Sequence, residues 1–369
     1  MCEGKERYEA YRALAVCERP ELNDARFNER FDLMARSRQP MHTRVTAILG
    51  TDYPIVQGGM MWYGRAELAA AVSNAGGLGV LTALTQPTPE DLRNEILRTR
   101  DMTDRPFGVN VTVLPSINPP PYAEYIEAAL ESGVGILETA GSSPRPFLAR
   151  IKRAGAKVVH KCTSVRHALS AQNEGVDIVS IDGFECAGHP GEDHVGGLVL
   201  IPAAAAALTI PIIASGGIGD GRGMAAALLL GAEGVNMGTR FCATVEAPVH
   251  SRIKDAMVAA SERDTSVVFR SYRNSARVLT NEISRHVISA EESGAAFEDI
   301  RHMVSGARGK AALLSGEFDD ALVWGGQVVG LIDDVPNCAE LIERIVAECR
   351  DRLRAVAQLT APLEELTPR

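Results

Sequence analysis

The chain has 369 residues, of which 46% are hydrophobic and 23% charged, and 38 basic against 47 acidic side chains give a formal net charge of -9. This size and composition are typical of a globular enzyme with one large domain or two ordinary ones. The acidic balance, without a basic cluster interleaved with aromatic residues, excludes nucleic acid as the expected partner.

Seven cysteines are scattered along the chain without a Cys-x-x-Cys pair or a histidine spacing suited to zinc. We therefore expect reduced thiols and no metal site. The sequence has no run of eighteen apolar residues and no apolar segment near its start, which predicts neither a membrane span nor a secretory signal. A cytoplasmic protein without a membrane partner is expected.

Residues 1–41 differ from the rest, because both charge signs are dense there and apolar residues are few. The segment predicts an N-terminal arm with one or two short surface helices. Its acidic residues disfavour a mitochondrial targeting signal, which avoids acids.

From residue 54 onward, short apolar runs alternate with amphipathic segments, the pattern of parallel strands joined by crossover helices. We count eight strands, which begin at Pro54, Leu78, Phe107, Gly135, Lys157, Asp177, Pro211 and Gly234. The helices predicted between them are Ala66–Asn74, Pro89–Thr99, Tyr122–Glu131, Val165–Glu174 and Gly221–Leu230. An open doubly wound sheet is the competing fold, but its Gly-x-Gly-x-x-Gly turn does not follow the first strand. The sequence predicts an α/β fold, a closed TIM (β/α)8 barrel.

The alternation ends after Gly238, and the following segment predicts a mostly helical lid. Its one apolar stretch, Ser266–Phe269, is surrounded by helical patterns at Ser251–Ser261, Glu282–Glu292 and Phe297–Val304. Pro336–Gln358 predicts a long amphipathic helix that packs back onto the barrel. The expected domains are an arm over 1–41, a barrel over 42–245 plus 336–369, and a helical lid or substrate subdomain over 246–335.

The catalytic face of a parallel barrel lies at the carboxyl ends of its strands, so the residues directly after each apolar run are the site candidates. They are rich in types that bind ligands or transfer protons: Gly58, Gly59, Met60, Asn110, Lys161, Asp182, Ala187, Gly188, His189, Ser215, Gly216, Gly217, Gly238 and Thr239. The glycines after strands seven and eight leave backbone amides that can surround a phosphate. Together they indicate a phosphorylated cofactor.

Two of these side chains are candidates for catalysis. Lys161 ends a strand buried on both faces, where a charge is costly unless a ligand anion, an electron-rich ring or a salt bridge with Asp182 compensates it. His189 lies between Gly188 and Pro190 in a long loop on the catalytic side. An imidazole there can give or take a proton near neutral pH.

Six segments between Tyr53 and Asp351 carry motifs in a consistent order. They are Gln57–Met60, Asn74–Gly79, Phe107–Asn110, Gly183–Gly191, Ala214–Ile218 and Met237–Phe241. Together they resemble the nitronate monooxygenase family of FMN-dependent TIM-barrel flavoenzymes, formerly 2-nitropropane dioxygenases. Asp182–Asp193 and His160–Thr163 are most similar to the family's NADH:quinone reductase branch. Where nitronate-oxidising members typically carry Gly-Gly-His, this chain has Ala187-Gly188-His189.

The resemblance implies FMN at the barrel mouth and NADH or NADPH as co-substrate. It places the FMN phosphate against Gly216, Gly217, Gly238 and Thr239, and the ring near Gly58, Gly59, Met60, Asn110, Lys161 and Gly188. It makes His189 the candidate catalytic histidine and Lys161 a countercharge for the flavin ring. Asp182, Ala187 and Ser215 are expected at the same cofactor site.

Several activities stay open within this resemblance. NAD(P)H:quinone reduction is favoured, with oxidation of propionate 3-nitronate or alkyl nitronates by O2 as the first alternative. Reduction of an enoyl thioester is the second, and a barrel that serves as a binding module without flavin is a further one. The sequence is compatible with a monomer and with a homodimer.

Overall fold

The structure is a computed structural model and describes residues 39–114 and 119–359. The arm predicted over residues 1–41 therefore lies outside the described residues, apart from its last three positions. From Met41 onward the chain clusters as one unit, so the division between barrel and lid stays a prediction.

Within the described residues, eight parallel strands close into a barrel in the order of the chain. They are β1 Ile55–Gln57, β2 Leu78–Thr82, β3 Phe107–Val113, β4 Ile136–Gly141, β5 Lys157–Cys162, β6 Ile178–Asp182, β7 Ile212–Ser215 and β8 Gly234–Met237. Pairing of β1 with β8, Val56 opposite Asn236, closes the barrel. Each strand begins within one residue of its predicted start, so the TIM barrel is confirmed and the open doubly wound sheet is excluded.

Seven described helices between the strands cover the outside of the barrel, one helix precedes β1, and one follows β8. They are α1 Arg44–Leu49, α2 Ala66–Asn74, α3 Pro89–Met102, α4 Tyr122–Glu131, α5 Arg145–Arg153, α6 Val165–Glu174, α7 Gly197–Ala207, α8 Gly221–Leu229 and α9 Thr239–Cys242. The five helices predicted here are confirmed, with ends that differ by at most three residues. The prediction did not include α1, α5, α7 or α9. Residues of α7 are apolar on every face and include Pro202, so no helical period distinguishes them.

The barrel interior divides into an apolar half and a polar half. Seven inward-facing strand residues pack together with Val45 and Leu49 of α1: Val56, Leu78, Val80, Ile136, Val159, Ile178 and Ile213. Arg44 at the start of α1 binds Glu233, which directly precedes β8, so α1 closes the amino ends of the strands. The opposite end of the barrel is left to polar side chains.

The lid segment after α9 contains both helices and strands. Its elements are α10 Ser251–Ala259, β9 Thr265–Val268, β10 Ala276–Leu279, α11 Glu282–Glu292, α12 Phe297–Ile300 and α13 Gly306–Ser315, with 3-10 turns at Phe318–Asp320 and Gln327–Leu331. β9 and β10 pair in antiparallel fashion as the lid hairpin. The apolar stretch at Ser266–Phe269 is therefore largely a strand, and the helix predicted over Phe297–Val304 ends at Ile300.

The last described element is α14, Cys338–Leu359, which packs against α2 and α8. This confirms the predicted terminal helix on the barrel. Its buried face consists of Cys338, Leu341, Ile342, Ile345, Val346 and Cys349. Among the helices of the described residues, none is long and apolar enough to cross a membrane.

Candidate active site

A cavity of about 500 Å³ lies at the carboxyl ends of the strands, between the loops that follow them and part of the lid. Every site residue predicted from the sequence lines it: Gly58, Gly59, Met60, Asn110, Lys161, Asp182, Ala187, Gly188, His189, Ser215, Gly216, Gly217, Gly238 and Thr239. The structure thus brings all of them together. The role predicted for each residue remains a prediction.

Gly216 and Gly217 follow β7 in left-handed conformations, with φ of 87° and 75°. A Cβ at Gly216 would lie 2.9 Å from the carbonyl oxygen of Gly183. A larger residue would therefore be strained both by this contact and by the left-handed backbone conformation. Neither glycine amide donates a hydrogen bond to a described residue. The pair therefore forms a cradle of bare amides, the geometry that suits a phosphate.

A buried carboxylate orders the β1 and β3 side of the cavity. Glu138 on β4 is 1% exposed, and its Oε1 accepts bonds from the Gly59 amide at 2.9 Å and from Asn110 Nδ2 at 2.8 Å. Its Oε2 accepts from Asn236 Nδ2 at 3.3 Å. A Cβ at Gly59 would lie 2.3 Å from the Asn110 side chain, so this position requires glycine. Glu138 was missed, although an acid inside an apolar run is the same signal that singles out Lys161.

Lys161 and Asp182 form a charged part of the cavity wall. Burial lowers the pKa of Lys161, but the carboxylates of Asp182 and Glu138 outweigh it and raise that pKa overall. Burial raises the pKa of Asp182, and Lys161 opposes this effect. Asp182 Oδ1 is buried and has no hydrogen-bond partner among the described residues.

The salt bridge that the sequence allowed between Lys161 and Asp182 is not formed within 4 Å. Among the described lysines, Lys152 and Lys157 pair with Asp177, whereas Lys161 pairs with no described carboxylate. Its ammonium group is therefore charged and available to an anionic or electron-rich ligand in the cavity.

His189 lines the cavity from the loop after β6. Its ring centroid lies 6.1 Å from that of Trp324, which the lid contributes. The surrounding protein removes water from the ring and lowers the pKa of His189, while Glu192 opposes this. The imidazole is therefore neutral at neutral pH and can donate one hydrogen bond and accept another. Trp324 was missed; its place before Gly325 and Gly326 was the available signal.

The loops after β1, β2 and β3 and the lid supply the outer wall of the cavity. Their lining side chains are apolar or aromatic: Met61, Trp62, Tyr63, Leu84, Leu114, Tyr122, Val304, Trp324 and Val328. Within the described part of the chain, these segments contribute no charged side chain to the lining. Trp62 has a φ of 71°, and Lys310 Nζ lies 5.1 Å from its ring centroid on the lid side.

The cysteines near the site are thiols. Cys162, Cys186, Cys242, Cys338 and Cys349 are buried and free, as predicted, whereas Cys2 and Cys17 lie outside the described residues. Burial raises the pKa of Cys242, which lines the cavity, to about 12. The protonated thiol is a poor nucleophile, so no covalent catalysis is indicated here.

Enzymes built on this barrel act at the carboxyl ends of its strands, and the chain carries its cavity at that end. It is a TIM-barrel enzyme by its fold and by the position of its cavity. The family model for nitronate monooxygenase matches residues 42–348. The chain therefore belongs to the nitronate monooxygenase family and is an oxidoreductase.

Known relatives resemble the chain over most of its length. The (3aS,4S,5R,7aS)-5-hydroxy-7a-methyl-1-oxo-octahydro-1H-indene-4-carboxyl-CoA dehydrogenase of Rhodococcus jostii is 33% identical, over 87% of this chain and 99% of its own. A probable nitronate monooxygenase of Staphylococcus saprophyticus is 30% identical, over 84% of this chain and 98% of its own. The structure of FabK from Thermotoga maritima has a TM-score of 0.81 and 36% identity, covering 86% of this chain and 99% of that one. Because the named activities differ, the likeness leaves the substrate open.

Proposed function

We propose that the protein is an FMN-dependent NAD(P)H:quinone reductase. The observation that carries the proposal is the uncharged outer wall of the cavity, in which four of the nine described side chains are aromatic, together with the glycine cradle and Lys161 in the same cavity. Flat apolar walls with few polar groups suit uncharged rings such as nicotinamide and a quinone. Among the described residues that line the cavity, the one cation available to a substrate anion is Lys161, on the cofactor side.

The residues present fit FMN. The free amides of Gly216 and Gly217 would hold its phosphate, and Lys161 would face the electron-rich part of its ring. Glycine is required at position 59, because a Cβ there would overlap the Asn110 side chain, and both residues line the cavity where the ring would lie. When bound, FMN supplies two-electron transfer between a nicotinamide and an acceptor, chemistry for which no amino-acid side chain substitutes.

The chain itself provides position and electrostatics. Neutral His189 would donate a hydrogen bond to a carbonyl oxygen of the acceptor and hold it beside Trp324. Lys161 would stabilise negative charge that develops in the cavity, since its ammonium group has no described partner within 4 Å. The lid, through Val304 and Trp324, would keep water out of the reacting space.

A second candidate is oxidation or reduction of an acyl-CoA thioester. Its support is the 33% identity to a relative named as a carboxyl-CoA dehydrogenase, across 99% of that relative. Oxidation of nitronates is a third, supported by the relative named as a probable nitronate monooxygenase. Against nitronates, no cation of the described residues lines the outer wall, since Lys310 contacts the Trp62 ring without lining the cavity, and His189 is neutral.

An anaerobic titration of the purified protein distinguishes these activities. NADH or NADPH is added first while the flavin absorbance is followed. Benzoquinone and crotonyl-CoA are then added to separate reduced samples, and propionate 3-nitronate is added to a fresh oxidised sample. We expect bleaching by the nicotinamide and rapid recolouring by benzoquinone.

Recolouring by crotonyl-CoA but not by benzoquinone would replace the proposal with thioester reduction. Bleaching of the oxidised protein by nitronate, with both nicotinamides inert, would replace it with nitronate oxidation. Colourless protein that takes up no FMN would overturn flavin chemistry altogether.

A further inference from the structure

The loop that carries His189, which we call the histidine loop (Gly183–Gly196), is fastened to the lid hairpin along its length. Near its start, the carbonyl oxygen of Phe184 accepts from Arg277. In its middle, Gly188 pairs with Arg277 through both backbone groups. Near its end, Glu192 accepts from the amide and hydroxyl of Ser275 at 3.0 and 2.7 Å. The hairpin therefore determines where the histidine loop lies.

Arg277 makes most of these contacts. Its guanidinium donates to the Phe184 carbonyl oxygen through Nη2 at 3.0 Å and Nε at 3.3 Å, and to Thr265 Oγ1 through Nη1 at 3.0 Å. It also stacks 4.9 Å from the centroid of the Phe184 ring. Its backbone amide donates to the Gly188 carbonyl oxygen at 2.6 Å and its carbonyl accepts from the Gly188 amide at 3.1 Å. The Arg277 side chain thus holds the Phe184 end of the five-residue segment that precedes His189, and the Arg277 backbone holds the Gly188 end.

The burial of Arg277 makes this arrangement costly. The residue is 4% exposed, its guanidinium hydrogen bonds go to uncharged oxygens, and it does not line the cavity. A buried cation with uncharged partners contributes little to folding that a well-packed apolar residue would not. The planar guanidinium group, in contrast, fixes the orientation of the Phe184 carbonyl group, which an apolar side chain cannot do.

The next hairpin residue places the second ring of the site. Val278 forms a backbone bridge with Trp324, whose ring faces that of His189. Adjacent residues of β10 therefore hold the two rings. Arg277 binds the loop that carries His189, and Val278 pairs with Trp324. A shift of the hairpin would move both rings.

We propose that Arg277 is a positioning residue of the reaction, which locks Phe184–Gly188 against the lid hairpin and so directs His189 into the cavity. The proposal deepens the proposed function, since it rests on His189 acting on the acceptor. Arg277 acts through the histidine loop and does not touch the substrate.

The test compares Arg277→Met and Arg277→Lys with the unaltered holoprotein, labelled with 13C at histidine Cε1 for NMR. The His189 resonance is identified by its loss in His189→Asn. Charged groups around His189 are Glu185 and Glu192 on its own loop, Arg277 on the lid hairpin, and Lys161 and Asp182 in the cavity wall. We expect one sharp His189 signal with a lowered pKa in the unaltered protein. In Arg277→Met it should broaden and titrate closer to 6.5, as water reaches the ring.

Activity provides the second readout. The kcat for quinone reduction should fall at least about tenfold in Arg277→Met, because small displacements of a positioned group are costly. The FMN spectrum and the KM for NADH should stay unchanged, which a general loss of structure would not allow. Arg273→Gln is the matched control, since Arg273 is an exposed cation on the same hairpin.

An unchanged His189 signal in Arg277→Lys, which keeps the charge but not the fork, would overturn the proposal, and it decides the matter if Arg277→Met does not fold. An equal effect in Arg273→Gln would also overturn it. The NMR comparison needs no acceptor. If the unaltered protein reduces no quinone, the proposed function fails, while the NMR comparison still decides whether Arg277 positions the His189 ring.

Discussion

His160 and Lys161 are neighbours on β5, and strand alternation sends them to opposite faces of the barrel wall. Lys161 lines the cavity, whereas His160 is 5% exposed and its Nδ1 lies 2.8 Å from Thr139 Oγ1. Burial lowers the pKa of His160 to about 4, with Glu174 opposing the shift. Among the described histidines, His160 therefore has the largest pKa shift, and it lies outside the cavity. Its protonation should couple stability to pH more strongly than that of His189.

Replacing His160 should flatten the acid side of the stability profile. Between pH 6.5 and 4 the unfolded chain binds a proton that the folded chain excludes, so the free energy of unfolding falls as the pH drops. At 1.4 kcal/mol per pH unit the loss is about 3 kcal/mol. In His160→Asn this component should vanish from urea unfolding curves recorded across that range. His302→Asn, at an exposed position, should keep the full pH dependence.

At the scale of elements, α14 packs closely against α8 on the outside of the barrel, with backbone contact at Gly221. Gly221 begins α8, and its amide donates to Glu348 Oε2 at 2.9 Å. A Cβ at Gly221 would lie 2.4 Å from the carbonyl oxygen of Ile345 and 2.5 Å from the amide nitrogen of Cys349. Because backbone atoms cannot rotate away, this contact requires glycine.

Gly221→Ala should therefore destabilise the protein by about 1 to 3 kcal/mol, the usual cost of overpacking. Gly223→Ala in the same helix is the matched control, because its nearest neighbour is a methyl group of Ile218 at 3.3 Å. Alanine favours helices over glycine by roughly 0.8 to 1 kcal/mol, so the control should be neutral or slightly stabilising. Urea unfolding of both variants tests this, and an equal effect would refute the close approach.

At the scale of the whole molecule, the glycine cradle links stability to the cofactor. If Gly216 and Gly217 hold a phosphate, FMN should raise the free energy of unfolding by about 2.7 kcal/mol at a free concentration 100-fold above its Kd. Riboflavin, which lacks the phosphate, is the matched ligand. We expect a clearly smaller rise in Tm with riboflavin at equal concentration. Equal stabilisation by the two flavins would remove the phosphate role of the cradle.

The barrel and most of its cavity wall were predictable because both follow from local sequence. Apolar runs such as Phe107–Val113 define strands, and residues directly after them reach the cavity in any parallel barrel. The lid hairpin was not predictable from local sequence, because Ala276–Leu279 is short and becomes a strand only by pairing with β9. Arg277 was missed for the same reason, because its contact with Phe184 joins segments 93 residues apart in sequence. The contact between Trp324 and His189 spans 135 residues, and the two glycines after Trp324 were its one local signal.

Closure of the barrel between β1 and β8 also sets an order of events during synthesis. β1 bonds to both β2 and β8, so its second edge lacks its native partner until Gly234–Met237 has left the ribosome. An open edge offers unpaired amide and carbonyl groups to other strands in the meantime. Because α14 spans α2 and α8, its emergence fastens the two ends of the ring. A nascent chain therefore has no complete pocket for a ligand until β8 has been synthesised.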